Sequence, residues 1–186
     1  MRVIAGTARG LTLLPPGKGT RPTMDRVRGA IFSSLGERVP EARVLDLFAG
    51  SGAMGIEALS RGATSVVFVE QHAPTAGIIG KNLQRTRLQG SIQRMDAFLF
   101  LKLYAIPDSF DLILADPPYL KGGNGEQVNH AENLLQHPLL PVALGSEGLL
   151  VLECSRRQQL PSLSMWNVRS DRNYGESRIL ILGCAA

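Results

Sequence analysis

From Arg43 onward, two rhythms of apolar positions alternate along this chain. Short apolar runs of strand character are separated by stretches in which apolar residues recur every three or four positions. Val44-Leu45-Asp46-Leu47-Phe48 is the first run, followed by a glycine-rich turn and a helix near 53–61. Ser65 to Glu70, Ser91 to Met95 and Asp111 to Asp116 read as further strands, with helices over roughly 73–87 and near 97–104 between them. A polar, glycine-containing loop, Lys121 to Asn129, comes next. Helical material over about 130–144 is expected to break at Pro138 and Pro141. Gly148 to Cys154 is another strand, and segments near 163–169 and 177–183 flank a turn around Asn173-Tyr174-Gly175. Strands alternating with helices predict an α/β fold, a doubly wound and mostly parallel sheet covered on both faces. The last two segments are close enough to pair as a C-terminal antiparallel hairpin.

The first forty residues read differently. Val3-Ile4 and Leu11-Thr12-Leu13-Leu14 are strand-like and Gly6 and Gly10 mark turns, so residues 1–20 are expected to form a short β-rich arm. Pro22 suits the first turn of a helix in which Val27, Ala30, Ile31 and Leu35 share a face, with Gly36 as its C-cap. One domain over 1–186 is expected, divided into the arm (1–20), an N-terminal helix (21–40) and a core (41–186).

Charge sharpens that division. Residues 1–40 hold seven Lys/Arg against Asp25 and Glu37, a net of +5, whereas the remainder carries 13 basic and 14 acidic residues. The excess suggests a polyanion-facing arm, with Arg9, Arg21, Arg26 and Arg28 as candidate phosphate contacts. Arg26 and Arg28 have an equal alternative as structural residues: their helix lies close to the glycine loop and could cover a cofactor, with Thr23 and Asp25 lining its pocket. Arg156-Arg157 is a second basic pair. Cys154 and Cys184 lack metal-ligand spacing and form no disulfide framework. With no signal-peptide h-region and no run of membrane-spanning length, a cytoplasmic protein is expected. His130 and His137 have no partners at metal-ligand spacing, so no metal is expected.

Gly50-Ser51-Gly52-Ala53-Met54-Gly55 fits G-x-G-x-x-G after a strand and at the start of a helix. Such a turn lets backbone approach a ligand closely, and its default reading is a dinucleotide site. Three acids favour S-adenosylmethionine. Asp46, within the first strand, can pair with an ammonium or sulfonium, from which a pyrophosphate would gain nothing. Glu70 can take both hydroxyls of a ribose. Asp96 and the backbone of Ala97 can read an adenine edge, although Asp96 also suits a helix N-cap.

Asp116-Pro117-Pro118-Tyr119 follows the run Leu112-Ile113-Leu114-Ala115. An acid, two prolines and an aromatic at a strand's carboxyl end make a rigid, hydrogen-bond-accepting shelf beside a stacking ring. That arrangement suits a planar base held by its exocyclic amino group.

With these motifs the chain resembles class I methyltransferases, and more closely the RsmD-type family of bacterial small-subunit ribosomal RNA guanine-N2 methyltransferases. The matching residues are Arg2-Val3-Ile4-Ala5-Gly6 with Arg9-Gly10; Arg21-Pro22-Thr23-Met24-Asp25-Arg26-Val27-Arg28; Asp46-Leu47-Phe48-Ala49-Gly50-Ser51-Gly52-Ala53 through Gly62; Val69-Glu70; and Asp116-Pro117-Pro118-Tyr119. The Arg-Pro-Thr block is the most restrictive. Gly29 and His72 stand where the family usually has acids. The resemblance implies a seven-stranded sheet with an antiparallel terminal strand and an N-terminal β extension. It also implies SAM as donor, with Phe48 joining the cofactor residues, and a guanine amino group of 16S rRNA in an assembled or assembling small subunit as target. Asp116, Pro117, Pro118 and Tyr119 would be the catalytic block, acting in a monomer. The rivals are an amino-methyltransferase acting on adenine or cytosine in DNA or RNA, a non-catalytic RNA-binding module, and a nicotinamide-dependent oxidoreductase, which leaves Asp-Pro-Pro-Tyr unexplained.

Overall fold

The structure, a computed structural model, describes residues 1–16, 25–118, 120–121 and 127–185. Parallel strands β1 (Arg43–Leu47), β2 (Ser65–Val69), β3 (Ser91–Gln93) and β4 (Phe110–Ala115) are each followed by a return to the next. A two-residue pair, β5 (Leu120–Lys121) with β6 (Gln127–Val128), stands apart from the main sheet. Three longer strands, β7 (Leu144–Ser155), β8 (Trp166–Tyr174) and β9 (Ser177–Cys184), complete it. The order is β3-β2-β1-β4-β7-β9-β8, with β7 parallel to β4 and β9 antiparallel to both its neighbours. The helices are α1 (Asp25–Leu35), α2 (Ala53–Ser60), α3 (Ala73–Thr86), α4 (Ala97–Tyr104), α5 (His130–Leu135) and α6 (Leu139–Ala143).

Both faces of the sheet are covered. Alternate residues of β1 and β4 point to opposite sides, so Val44, Leu112 and Leu114 join one core with Ile31, Ile56, Phe68 and Ile79. Leu45, Leu47, Ile113 and Ala115 join the other with Phe100, Leu134, Leu140 and Trp166. Burial on both faces explains why these strands read as near-continuous apolar runs.

Four expectations are corrected. Among its described residues the arm's two strand-like runs do bond to each other (Val3 N–H to the Leu11 carbonyl, Gly10 N–H to the Val3 carbonyl, Leu13 N–H to the Met1 carbonyl), but the pairing amounts to one antiparallel bridge, Arg2 with Thr12, rather than a β-rich arm. Gly6 and Gly10, at φ +82 and +85, fold it back early, and the backbone at Ile4, Ala5 and Ala8 bonds to side chains of α2. Pro141 does not break the helical stretch. It lies in the first turn of α6, where a missing N–H is harmless. Strand β7 starts at Leu144, ahead of Gly148, because a register irregularity lets Leu144 pair with Phe110. Asn173 and Tyr174 belong to β8, and the turn falls at Gly175, φ +63. Among the described residues no helix is long and apolar enough to cross a membrane.

Candidate functional site

Strand register brings the candidate residues to one rim. Leu47 pairs with Val69 on one side and Ala115 on the other, so Phe48, Glu70 and Asp116 leave the sheet at the same level. Val69 pairs with Gln93, which puts Asp96 and Ala97 a few residues beyond the neighbouring strand end. Such a carboxyl-end rim, where the strand order reverses at β1 and β4, is where open α/β sheets bind ligands.

The turn after β1 is tight. Phe48 and Gly50 both sit at φ +56 and Gly52 at +77, a conformation that strains Phe48 and suits the glycines. A Cβ on Gly52 would lie 3.0 Å from Ile79 Cγ2, and one on Gly55 would lie 2.3 Å from Phe68 Cε1. The second and third glycines therefore let the loop and α2 press onto α3 and β2. Ser51 is buried behind them.

Two acids already hold this loop. Gly50 N–H donates to Glu70 Oε2 at 3.0 Å, and Gly55 N–H donates to Asp46 Oδ2 at 2.9 Å. Glu70 Oε1 also accepts from His72 N–H at 2.8 Å. Asp46 is 3% exposed, and burial raises its pKa to about 8, opposed by the Gly55 hydrogen bond and aided by the nearby Glu70 charge. A phosphate cradle needs its N–H groups unclaimed and its surroundings positive. Here the Gly50 and Gly55 N–H groups are taken by carboxylates, and the charges placed beside the turn are acidic. A cation near Asp46 would instead stabilise the ionised carboxylate.

Asp96 caps α4, with Oδ1 accepting from the backbone of both Phe98 and Leu99 at 2.9 Å. The helix-capping alternative is thus realised, and it fixes the carboxylate at the rim. Phe98, which sequence reasoning passed over, stands edge-on to Phe48 at 6.0 Å and stacks on His130 at 5.6 Å. These rings wall the space beside the glycine turn. Only an apolar residue directly after the Asp-Ala pair hinted at this.

Asp116 is partly buried, Pro117 buried and Pro118 exposed. Tyr119, Thr23 and Arg21 lie outside the described residues. Asp25, at the start of α1, pairs with Arg28 at 2.9 Å.

Arg28 does not belong among the phosphate contacts. Its side chain is fully buried, with Nη2 donating to the Arg2 carbonyl and to Asp25, and Nε 3.6 Å from Glu57 Oε2. Arg28 is structural in that sense, a buried tie between the arm, α1 and α2. Arg9 and Arg26 are exposed. Glu57, also fully buried, accepts from Ile4 N–H at 2.8 Å, Ala5 N–H at 3.0 Å and Arg61 Nε at 2.8 Å. Sequence reasoning missed Glu57; its signal is an acid beside Ile56 on the inward side of α2.

A cleft of about 320 Å³ opens at the opposite end of the sheet, beside Arg38, Asp108, Asp111 and Glu147. It shares no residue with the carboxyl-end rim.

Solved structures share this fold along the whole chain. One from Escherichia coli superposes with a TM-score of 0.84 at 28% identity, covering 100% of this chain and 98% of that one. A hypothetical protein from Thermus thermophilus superposes at 0.81 with 30% identity, over 98% and 99%. The fold is that of the class I methyltransferases. The family model described as conserved hypothetical protein 95 matches residues 1–183, and the chain belongs to that family, the RsmD-type methyltransferases. Ribosomal RNA small subunit methyltransferase D of Escherichia coli K12 is 31% identical over 179 residues, 95% of this chain and 86% of its own length. The protein of the same name from Haemophilus influenzae is 31% identical over 94% of this chain and 89% of its own.

Proposed function

We propose that this protein transfers a methyl group from S-adenosylmethionine to the exocyclic N2 amino group of a guanine in 16S rRNA, within the small subunit or an assembly intermediate. The observation that carries the donor is the pair of carboxylates, Glu70 and Asp46, already on the glycine-loop N–H groups. That loop favours a cationic nucleoside over a phosphorylated one. The rRNA target rests on the named relatives and on the basic arm.

Asp46 would face the methionyl ammonium, Glu70 the ribose hydroxyls, and Asp96 with Ala97 the adenine edge. Phe48, Gly50, Ser51 and Gly52 would form the turn beneath the donor, with Thr23 and Asp25 closing over it. When bound, the donor supplies a methyl carbon activated by sulfonium. The guanine amino nitrogen is a poor nucleophile because its lone pair is delocalised into the ring. Hydrogen bonds from that NH2 to the Asp116 carboxylate and the Pro117 carbonyl favour a pyramidal nitrogen directed at the methyl carbon. With the new N–C bond replacing the C–S bond, Asp116 would be the group beside the amino proton that the nitrogen loses, passing it to solvent. Pro117 and Pro118 stiffen the shelf, and Tyr119 stacks on the base, a contact of about 1–3 kcal/mol. Positioning then supplies much of the acceleration. A paired target base leaves its stack first.

The test is labelled methyl transfer to naked 16S rRNA, to small subunits and to DNA side by side. Label in ribosomal RNA supports the reading; label in DNA alone contradicts it.

A further inference from the structure

The buried face of α3 contains one polar residue whose bonds leave the helix in two directions. Ala76, Ile79, Leu83 and Thr86 repeat at helical spacing on that face, and Asn82, fully buried, sits among them. Its side-chain amide commits both donors and its acceptor to backbone groups. Nδ2 donates to the Leu14 carbonyl at 3.0 Å and to the Ser51 carbonyl at 2.9 Å, and Oδ1 accepts from Leu14 N–H at 2.7 Å. Leu14 is the exit of the amino-terminal arm. Ser51 is the middle of the glycine loop. One amide therefore joins two segments that do not otherwise share a side-chain bridge among those described.

The arm has no independent footing. Its entry is held by Glu57 on Ile4 and Ala5, and its middle by Ser60. Ser60 Oγ donates to the Ala5 carbonyl at 2.6 Å and accepts from Ala8 N–H at 2.9 Å. Arg28 fastens the start of α1 to Arg2. Arg9 projects from the turn between Gly6 and Gly10 and is exposed. A force on the arm is passed to α2 and α3, the two helices that carry the glycine loop. At Asn82 it reaches the loop directly, because moving Leu14 must either drag the amide from Ser51 or strand buried donors, which is costly.

We propose that Asn82 is a positioning residue that couples RNA on the arm to cofactor in the glycine loop, so that each ligand raises the affinity for the other. The proposal rests on the donor and rRNA reading above. Linkage makes such coupling reciprocal. Leu14 docked on Asn82 fixes the Ser51 carbonyl and with it the donor-binding shape of the loop. An arm steadied by RNA keeps that shape, so ordering it costs the donor less.

The experiment measures S-adenosylhomocysteine affinity by calorimetry, with and without saturating small ribosomal subunits, for the wild type and for Asn82→Ala and Asn82→Asp. The second variant keeps the shape and the acceptor to Leu14 N–H but loses both donors. Subunits are expected to tighten cofactor binding in the wild type by about fivefold or more, and the factor should fall toward one in both variants. A merely structural Asn82 would lower the melting temperature and leave the factor intact, and that result overturns the proposal. Amide exchange in the wild type needs no variant: subunits alone should slow exchange over residues 50–56, and unchanged exchange overturns the coupling. A wild type that binds both ligands with a factor of one also overturns it while leaving the functional reading standing. A wild type that binds no S-adenosylhomocysteine sinks both.

Discussion

Leu47 and Ala115 are paired in register on adjacent parallel strands, so the glycine turn beginning at Phe48 and the shelf beginning at Asp116 leave the sheet side by side. The turn proposed to hold the donor and the shelf proposed to hold the target amine are thereby set next to each other by strand pairing. Asp116 is the proposed partner of the target amino group. Asp116→Ala should lower methyl transfer about 100-fold or more, in line with removal of a positioned electrostatic group, while S-adenosylhomocysteine affinity changes less than about twofold. Turnover near wild type would remove Asp116 from the mechanism.

Asp46 predicts a pH signature. Its pKa in the fold is about 8, above the ordinary 3.8, because burial disfavours the charge. Between about pH 4 and about pH 8 the folded chain holds a proton that the unfolded chain has lost. Stability from this group therefore falls as pH rises through that window and levels off above it. Asp46→Asn should flatten the decline in denaturation midpoint across that range. The cationic donor should also expel the proton. Calorimetry at about pH 7 in buffers of different ionisation enthalpy should show close to one proton released per donor bound by the wild type and less in the variant. Release equal in both proteins would assign the proton elsewhere.

The arginines of the first segment should separate into two kinds. Arg9→Ala and Arg26→Ala should each reduce the slope of log RNA affinity against log salt, by about 0.7 per lost phosphate contact, with little change in melting temperature. Arg28→Ala should do the reverse, because it removes the buried guanidinium that ties the Arg2 carbonyl to Asp25 and leaves Arg61 as the cation on Glu57, a loss on the order of 1.5–3 kcal/mol. Denaturant melts and salt titrations on the same three variants test the division. A changed slope for Arg28 with unchanged stability would contradict it.

Gly6 should tolerate no side chain. A Cβ there would fall 1.7 Å from the Ser60 carbonyl oxygen, and its φ of +82 is unfavourable for any other residue. Gly6→Ala should unseat the arm and destabilise the protein by on the order of 2–4 kcal/mol. The same change at Gly10, whose Cβ would meet nothing within 4 Å, should cost about 1 kcal/mol, from its positive φ alone. Equal losses at the two sites would mean that the arm does not dock on α2.

The alternating core was legible because strands buried on both faces carry unbroken apolar runs, as in Leu112 to Ala115. The rim acids were legible because Asp46, Glu70 and Asp116 end or interrupt such runs. The arm was not. Its strand-like residues Val3 and Leu13 are buried and bond across the arm as expected of strands, but the arm is seated on helices. The bonds that seat the arm join residues 53 apart, from Ile4 to Glu57, and 68 apart, from Leu14 to Asn82. No local pattern encodes contacts of that span. Arg28 misled for a related reason: a charge is read as exposed until its buried partner is known, and Glu57 is nearly thirty residues away. Pro141 misled because a proline breaks a helix interior but not a first turn, and the restart of the helix after Pro138 leaves no mark in the pattern.

The most direct measurement is the identity of the methylated nucleoside. Small subunits treated with the protein and labelled S-adenosylmethionine would be digested to nucleosides and resolved by mass spectrometry. N2-methylguanosine as the sole labelled product, absent with Asp116→Ala, is the predicted result. Label in N6-methyladenosine or N4-methylcytidine would contradict it.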